Sequence, residues 1–151
     1  MAETLGSLCD KLSIVKLKEY HTKNEDKLIL LIKQSKQLVQ EIDEYVYNAF
    51  SNVINIEKLT FKSNKVHGLK NISFSKNDKS SLGQLIEKLS HANCLLWHEQ
   101  EKIYDFENIP PPKKNDVIKK VALLNLERTS YIDEIDENFK NIILKKNEKN
   151  K

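Results

Sequence analysis

Apolar residues recur at helical spacing along most of the chain. Within residues 3–21, one face of a helix would carry Leu5, Leu8, Leu12 and Val15. A longer stripe follows over residues 25–54, and it consists of Leu28, Leu31, Ser35, Val39, Ile42, Val46, Ala49 and Val53. Only Thr22 to Asn24 separate the two segments. The pattern therefore predicts an antiparallel pair of helices joined by a tight turn.

The second half of the chain predicts another pair of helices. A third helix over residues 80–105, capped by Ser80 or Ser81, would bury Leu82, Leu85, Leu89, Ala92 and Leu96. Three consecutive prolines, 110–112, are expected to end it. Asn115 would then cap a fourth helix that extends to residue 145 and buries Val121, Leu124, Ile132, Ile135, Phe139 and Ile142, with a frayed Lys-rich end beyond it.

Two internal matches relate these pairs to each other. The nonapeptide at 5–13, LGSLCDKLS, recurs at 82–90 as LGQLIEKLS, and the same offset pairs Tyr20-His21 with Trp97-His98. Residues 41–44 likewise recur at 134–137. We therefore predict a single all-α domain over residues 1–151, a four-helix bundle built from a duplicated antiparallel helical hairpin, 3–54 and 80–145. A Lys-rich connector over 58–79, with a possible short extended piece at Ile72 and Phe74, would join the two halves.

Composition and charge narrow the class of protein. With 3 Gly and 3 Pro, the chain is a poor fit to a many-turned β-fold. Its net charge of +3, from 25 basic and 22 acidic residues, is too balanced to indicate nucleic-acid binding. The longest apolar run, 28–32, is too short for a membrane span, and residues 1–7 lack the core of a signal peptide. The two cysteines are too few for a disulfide framework and lack the spacing of metal ligands. They favour a reducing compartment, so we expect a cytoplasmic protein.

One cluster of polar residues is a candidate for function. Arg128 is the only arginine in a chain that otherwise uses lysine, which suggests a need for planar, bidentate recognition. Helical geometry turns Arg128 and Asn125 towards the core. If the third and fourth helices form an antiparallel hairpin, Asn93 and Trp97 lie at the same level along the bundle axis as Arg128 and Asn125.

Two interpretations of this layer remain open. Buried polar groups need partners, so the layer could be a hydrogen-bonded network that fixes helix register, with Arg128 paired to Glu19 or Asp136. Alternatively, it could be a pocket that binds a small anion or a sugar-type ligand, with Trp97 stacking on it and Arg128 holding its charge.

Other candidate residues lie on flanking helix faces. His98 and Glu101 are three residues apart, a spacing typical of helical metal sites, but the angles of His98, of its repeat partner His21 and of the similarly spaced glutamates turn them away from the core. We therefore predict no metal site and leave the cofactor open. Cys94 has no neighbouring histidine in register, so we interpret it as structural. The two histidines, with Tyr20 and Trp97, could instead mark a homodimer contact.

The second half of the chain resembles a bacterial domain-of-unknown-function family numbered 4254. The resemblance covers about residues 81–140 and rests on the runs NCLLWHE at 93–99, KKVALLNLER at 119–128 and IDEID at 132–136. Within them, the family pattern is matched by Asn93, Trp97, His98, Asn125, Arg128 and Asp136. Leu126 stands where the pattern has Gln, and Thr129 where it has Asn. The resemblance implies no established activity, only an accessory role near surface-glycan assembly.

These observations predict a small helical binding or accessory protein. Its anion or sugar-type site would comprise Asn93, Trp97, Asn125 and Arg128. The alternative is a metal-dependent hydrolase or transferase acting on a nucleotide or sugar-phosphate. That enzyme would use His98 and Glu101, with Arg128 holding the anion.

Overall fold

The computed structural model of the protein describes residues 3–61 and 80–150, and it is all-α over those residues. Four α-helices follow in chain order: α1 (Leu5–His21), α2 (Glu25–Phe50), α3 (Leu82–Tyr104) and α4 (Pro111–Lys149). Short 3-10 helices at Ile56–Leu59 and Phe106–Asn108 follow α2 and α3. The predicted all-α four-helix bundle is confirmed. Most of the predicted connector, residues 62–79 with its possible extended piece, lies outside the described residues.

The first helix of each hairpin begins with a capping box. At α1, the hydroxyl of Thr4 accepts a hydrogen bond from the backbone N–H of Ser7, and the hydroxyl of Ser7 accepts one from the N–H of Thr4. Ser81 and Gln84 make the same pair of bonds at α3. These four residues occupy matching positions in the two sequence repeats, so both repeats begin their helix in the same way.

The helices run alternately up and down. Leu5, at the start of α1, shares a core cluster with Leu85 and Leu89 near the start of α3, whereas His21 at the end of α1 meets Trp97. Helices α1 and α3 therefore run in the same direction, each packed against its own antiparallel partner. Helix α1 also packs on both α3 and α4, and the first 3-10 helix packs on α4, so both elements join the two hairpins.

Two clusters of apolar side chains form the core. The larger one includes Leu59 of the first 3-10 helix and these residues of the four α-helices: Leu5, Ala49, Leu85, Leu89, Ile135, Phe139 and Ile143. The smaller lies between α1 and α2 and contains Leu8, Val15 and Leu38. No helix in the described ranges has both the length and the apolar character needed to cross a bilayer.

Several predicted boundaries and core positions were wrong. Helix α2 ends at Phe50 rather than at residue 54, because Asn52 takes a left-handed φ of 56° and breaks the helix. Val53 and Val39, placed on the buried stripe, are 72% and 47% exposed, and Leu38 at 6% is buried instead.

The prolines begin α4 rather than ending α3. Helix α3 stops earlier, at Tyr104, and the second 3-10 helix follows it. Pro111 and Pro112 then occupy the first turn of α4, where backbone N–H groups have no helical partner and proline is therefore tolerated. Asn115 is thus inside α4 rather than its cap, and the helix continues to Lys149 instead of ending near residue 145.

Candidate functional site

The polar layer predicted from the sequence is centred on a residue that the sequence reasoning missed, Asp10 of α1. Its carboxylate accepts hydrogen bonds from Nε and Nη2 of Arg128 at 2.8 and 2.5 Å. Nδ2 of Asn93 donates a third bond to Oδ1 at 2.9 Å. Asp10 is only 6% exposed, so these bonds replace its lost hydration. The layer therefore ties α1, α3 and α4 together.

Asp10 engages Arg128 in the planar, bidentate manner that a lone arginine suggested. The hydrogen bonds to Asp10 raise the pKa of Arg128 above its ordinary value, and burial opposes them. Because Nε and Nη2 are already occupied, this edge of the guanidinium has no free donors for a ligand anion.

Neither carboxylate proposed from the sequence is the partner of Arg128. Glu19 accepts from Lys16 beside it, and Asp136 accepts from the backbone N–H of Gly6 at 2.7 Å. Helical geometry offers a signal for Asp10, since it lies seven residues before the half-buried Leu17 and thus on the same face of α1. Nothing else in the sequence marks Asp10 as buried, because charged residues make up 31% of the chain and most of them are expected at the surface.

Asn125 lies beside this layer, but within the described chain no hydrogen bond joins it to Asp10, Asn93 or Arg128. It is half-buried on α4, one turn before Arg128, and its backbone oxygen accepts from the hydroxyl of Thr129 at 3.0 Å. The hydrogen-bonded layer in the described residues thus contains two of the four predicted site residues, Asn93 and Arg128.

The remaining predicted residues lie in or beside an aromatic cluster at the C-terminal end of α1. They are Trp97, His98, Glu101 and His21. The ring of His21 stacks on Trp97, with centroids 4.8 Å apart and an angle of 11° between the planes. His98 and Tyr20 each meet the His21 ring edge-on, at 6.2 and 5.1 Å. The indole N–H of Trp97 donates to Oε1 of Glu101 at 2.8 Å, so Glu101 orients the indole ring.

An open groove lies beside this cluster, between the end of α1, the start of α2 and the middle of α3. Its volume is about 420 Å³, and its walls are mainly the apolar surfaces of Leu30, Leu31, Trp97 and His21. Thr22 and two exposed lysines, Lys18 and Lys27, complete the lining. A groove of this volume is within the range of small-molecule and side-chain binding pockets.

The enzyme alternative requires His98 and Glu101 to share a cavity with Arg128. In the described chain, the hydrogen bonds of Arg128 go to Asp10, Glu101 binds Trp97, and His98 packs against His21. The structure thus gives these residues separate partners. No three His, Cys, Asp or Glu side chains in residues 3–61 and 80–150 are grouped closely enough to hold a metal ion.

A second buried carboxylate holds the start of α1 against α4. Besides the N–H of Gly6, Asp136 accepts a bond from the side chain of Thr4. Burial, together with the nearby acids Asp133 and Glu137, nevertheless raises the pKa of Asp136 to about 6. The approach is close, since a Cβ built on Gly6 would lie 2.4 Å from the carbonyl oxygen of Ile132.

A third buried carboxylate, Glu99, joins α3 to the start of α4. It is held by the ammonium groups of Lys102 and Lys120, each at 3.0 Å from Oε1. Burial alone would raise the pKa of Glu99, but the two lysines outweigh it and hold the pKa below its usual range. The three buried acids thus have separate partners, and each connects structural elements of the bundle.

Comparison with known proteins adds one distant likeness. The chain matches no protein-family model and no solved structure. It is 29% identical over 144 residues to reticulocyte-binding protein homolog 1 of Plasmodium falciparum. That match covers 93% of this chain but only 4% of the Plasmodium protein, so the likeness is to one small part of a far longer chain.

Proposed function

We propose that this protein is a non-catalytic helical binding module whose ligand occupies the groove beside Trp97. The observation that carries the proposal is the engagement of Arg128 by Asp10. Because this pair satisfies the polar layer from within the bundle, the layer serves to fix helix register, and among the described residues the groove offers a concave, open surface. The ligand site therefore shifts from Arg128 and Asn125 to Trp97 and His21.

The groove has the features expected of a binding site. Leu30 is 64% exposed although it is apolar, and burying such a side chain under a ligand is favourable. The stacked His21 ring and the hydrogen bond that Trp97 donates to Glu101 limit the motion of Trp97, which lowers the entropy lost on binding.

Two earlier observations are in keeping with a binding role but name no ligand. The Plasmodium protein is named for binding reticulocytes, and this chain resembles only a small part of it. An accessory role near bacterial surface-glycan assembly rests on the family resemblance and stays a prediction. The cytoplasmic location, the homodimer and the anion or sugar-type ligand are likewise predictions.

Trp97 gives a direct test, since it is the only tryptophan in the chain. Anilinonaphthalene sulfonate (ANS), an aromatic anion, is titrated against the protein while energy transfer from Trp97 to the dye is recorded. We expect saturable transfer in wild type and its loss in Leu30→Glu. Tyr47→Glu is the matched control, because Tyr47 lies on the same helix, is 71% exposed and is not part of the groove lining.

Equal transfer in wild type, Leu30→Glu and Tyr47→Glu would contradict the proposal. Circular dichroism of each variant checks that the helices are intact, because ANS also binds partly unfolded chains.

A further inference from the structure

We infer that the occupant of the groove is a segment of a partner protein that presents apolar side chains together with carboxylates. This inference rests on the proposed binding function and adds the chemical class of the ligand. It follows from the combination of an apolar floor, formed by Leu30, Leu31 and Trp97, with positive charge at Lys18 and Lys27.

The two lysines are placed to receive acidic groups. In the described residues, ion pairs hold Lys11 on Glu3, Lys16 on Glu19, and Lys102 and Lys120 on Glu99, whereas other exposed lysines such as Lys33 have no such pair. No such ion pair involves Lys18 or Lys27 within the part of the chain that the structure describes. Their charges are therefore available to a ligand.

Acidic residues lie near the groove, among them Glu101 on Trp97, but none of those that the structure describes belongs to its lining. Glu25 and Asp26 are in the first turn of α2, where they complement the positive end of the helix. At about 100° per residue Glu25 points about 140° away from Leu30, whereas Asp26 points about 40° from Leu30, one turn before it; neither acid lines the groove. Lys23, in the turn between α1 and α2, adds a third exposed positive charge at this end of the hairpin.

The shape of the groove favours a protein segment. It is open at the surface and is formed by three helices, so an amphipathic helix could insert one or two apolar side chains between Leu30 and Trp97. Helices bind to grooves in this way through anchors spaced three or four residues apart. Carboxylates on the flanks of such a helix would then reach Lys18 and Lys27.

Two synthetic peptides test the inference. Each is about 14 residues long, enough for a helix to form on binding, and both carry leucine at the same helical spacing. All other positions are glutamate in one peptide and lysine in the other. Binding is followed by the fluorescence of Trp97. We expect the glutamate peptide to bind at least about tenfold more tightly, from two ion pairs of moderate strength, and this preference to weaken with added salt.

Charge reversal locates the effect. The double variant Lys18→Glu, Lys27→Glu is expected to lose the preference for the glutamate peptide. Lys33→Glu, Lys36→Glu makes the same change in net charge at exposed α2 positions outside the groove lining, and it should retain the preference.

The outcomes separate this inference from the proposed function. If ANS binds at Leu30 but the two peptides bind equally, or neither binds, the groove is a binding site and the acidic class of partner is wrong. If wild type forms a dimer that Leu30→Glu disrupts, a second copy covers the groove and the inference is overturned. If neither ANS nor either peptide changes the fluorescence of Trp97, the proposed function is wrong as well.

Discussion

The guanidinium of Arg128 on α4 holds the carboxylate of Asp10 on α1 through two hydrogen bonds, although 118 residues separate them in sequence. Asn93 of α3 completes the layer by donating to the same carboxylate. A buried carboxylate left without such partners would cost several kcal/mol, so the three helices are constrained to one register. This constraint explains the lone arginine without invoking a ligand.

Gly6 and Gly83 occupy matching positions in the two repeats but have different surroundings. Gly6→Ala should lower the free energy of unfolding by about 1–3 kcal/mol, because its methyl group would collide with the carbonyl of Ile132. Gly83→Ala should leave stability unchanged or raise it by up to about 1 kcal/mol, since nothing lies within 4 Å of the added Cβ. Urea denaturation measures both. Equal effects of the two substitutions would show that α1 does not approach α4 as described.

The raised pKa of Asp136 gives stability a distinct dependence on pH. An acid whose pKa is about 6 when folded and near its ordinary 3.8 when unfolded binds its proton more tightly in the folded state. Its contribution is therefore greatest below pH 4 and is lost as the pH rises to about 6. Wild type loses this contribution between about pH 4 and pH 6, but Asp136→Asn does not, because asparagine does not ionise. The free energy of unfolding of Asp136→Asn, relative to that of wild type, should therefore rise by on the order of 2 kcal/mol over this pH interval.

Chemical denaturation from pH 4 to pH 7 measures this difference. Asp43→Asn, at an exposed position on α2, is the control and should follow wild type throughout. A constant difference between Asp136→Asn and wild type across the range would show that burial does not raise the pKa of Asp136.

The thiol of Cys9 should react slowly. Burial, with the nearby charges of Asp136 and Asp10, raises the pKa of Cys9 to about 11, so the thiolate is scarce at pH 8. In the Cys94→Ser variant, alkylation of Cys9 by iodoacetamide should be roughly 100-fold slower in the folded protein than in denaturant. Mass spectrometry of timed samples gives both rates. Similar rates in the two conditions would place the thiol in open solvent.

The helices were predictable from the sequence because apolar residues recur at helical spacing, and Leu8, Leu89 and Ile135 are buried as the pattern requires. The helix ends were harder to place. A run of prolines is compatible with the end of one helix or with the first turn of the next, and here Pro111 starts α4. Leu38 and Val39 were likewise confused, since neighbouring apolar residues leave the orientation of a stripe ambiguous by about 100°.

The candidate site was predicted only in part. Arg128 and Asn93 stood out as rare polar residues at core positions, and both belong to the layer. Asp10 did not stand out, because its place on the same face of α1 as Leu17 is a weak signal and its pairing with Arg128 arises only when α1 packs on α4. The groove was missed for the same reason, since Leu30 and Trp97 come from different hairpins and become neighbours only in the folded bundle.

Denaturation of Arg128→Lys with and without ANS tests the central claim most directly. Lysine keeps the charge but loses the bidentate contact with Asp10, so the free energy of unfolding should fall by about 1–3 kcal/mol. The stabilisation that a given concentration of ANS adds should equal that of wild type, because the groove does not include Arg128. Unchanged stability together with loss of the ligand effect would contradict the account and return the binding site to Arg128.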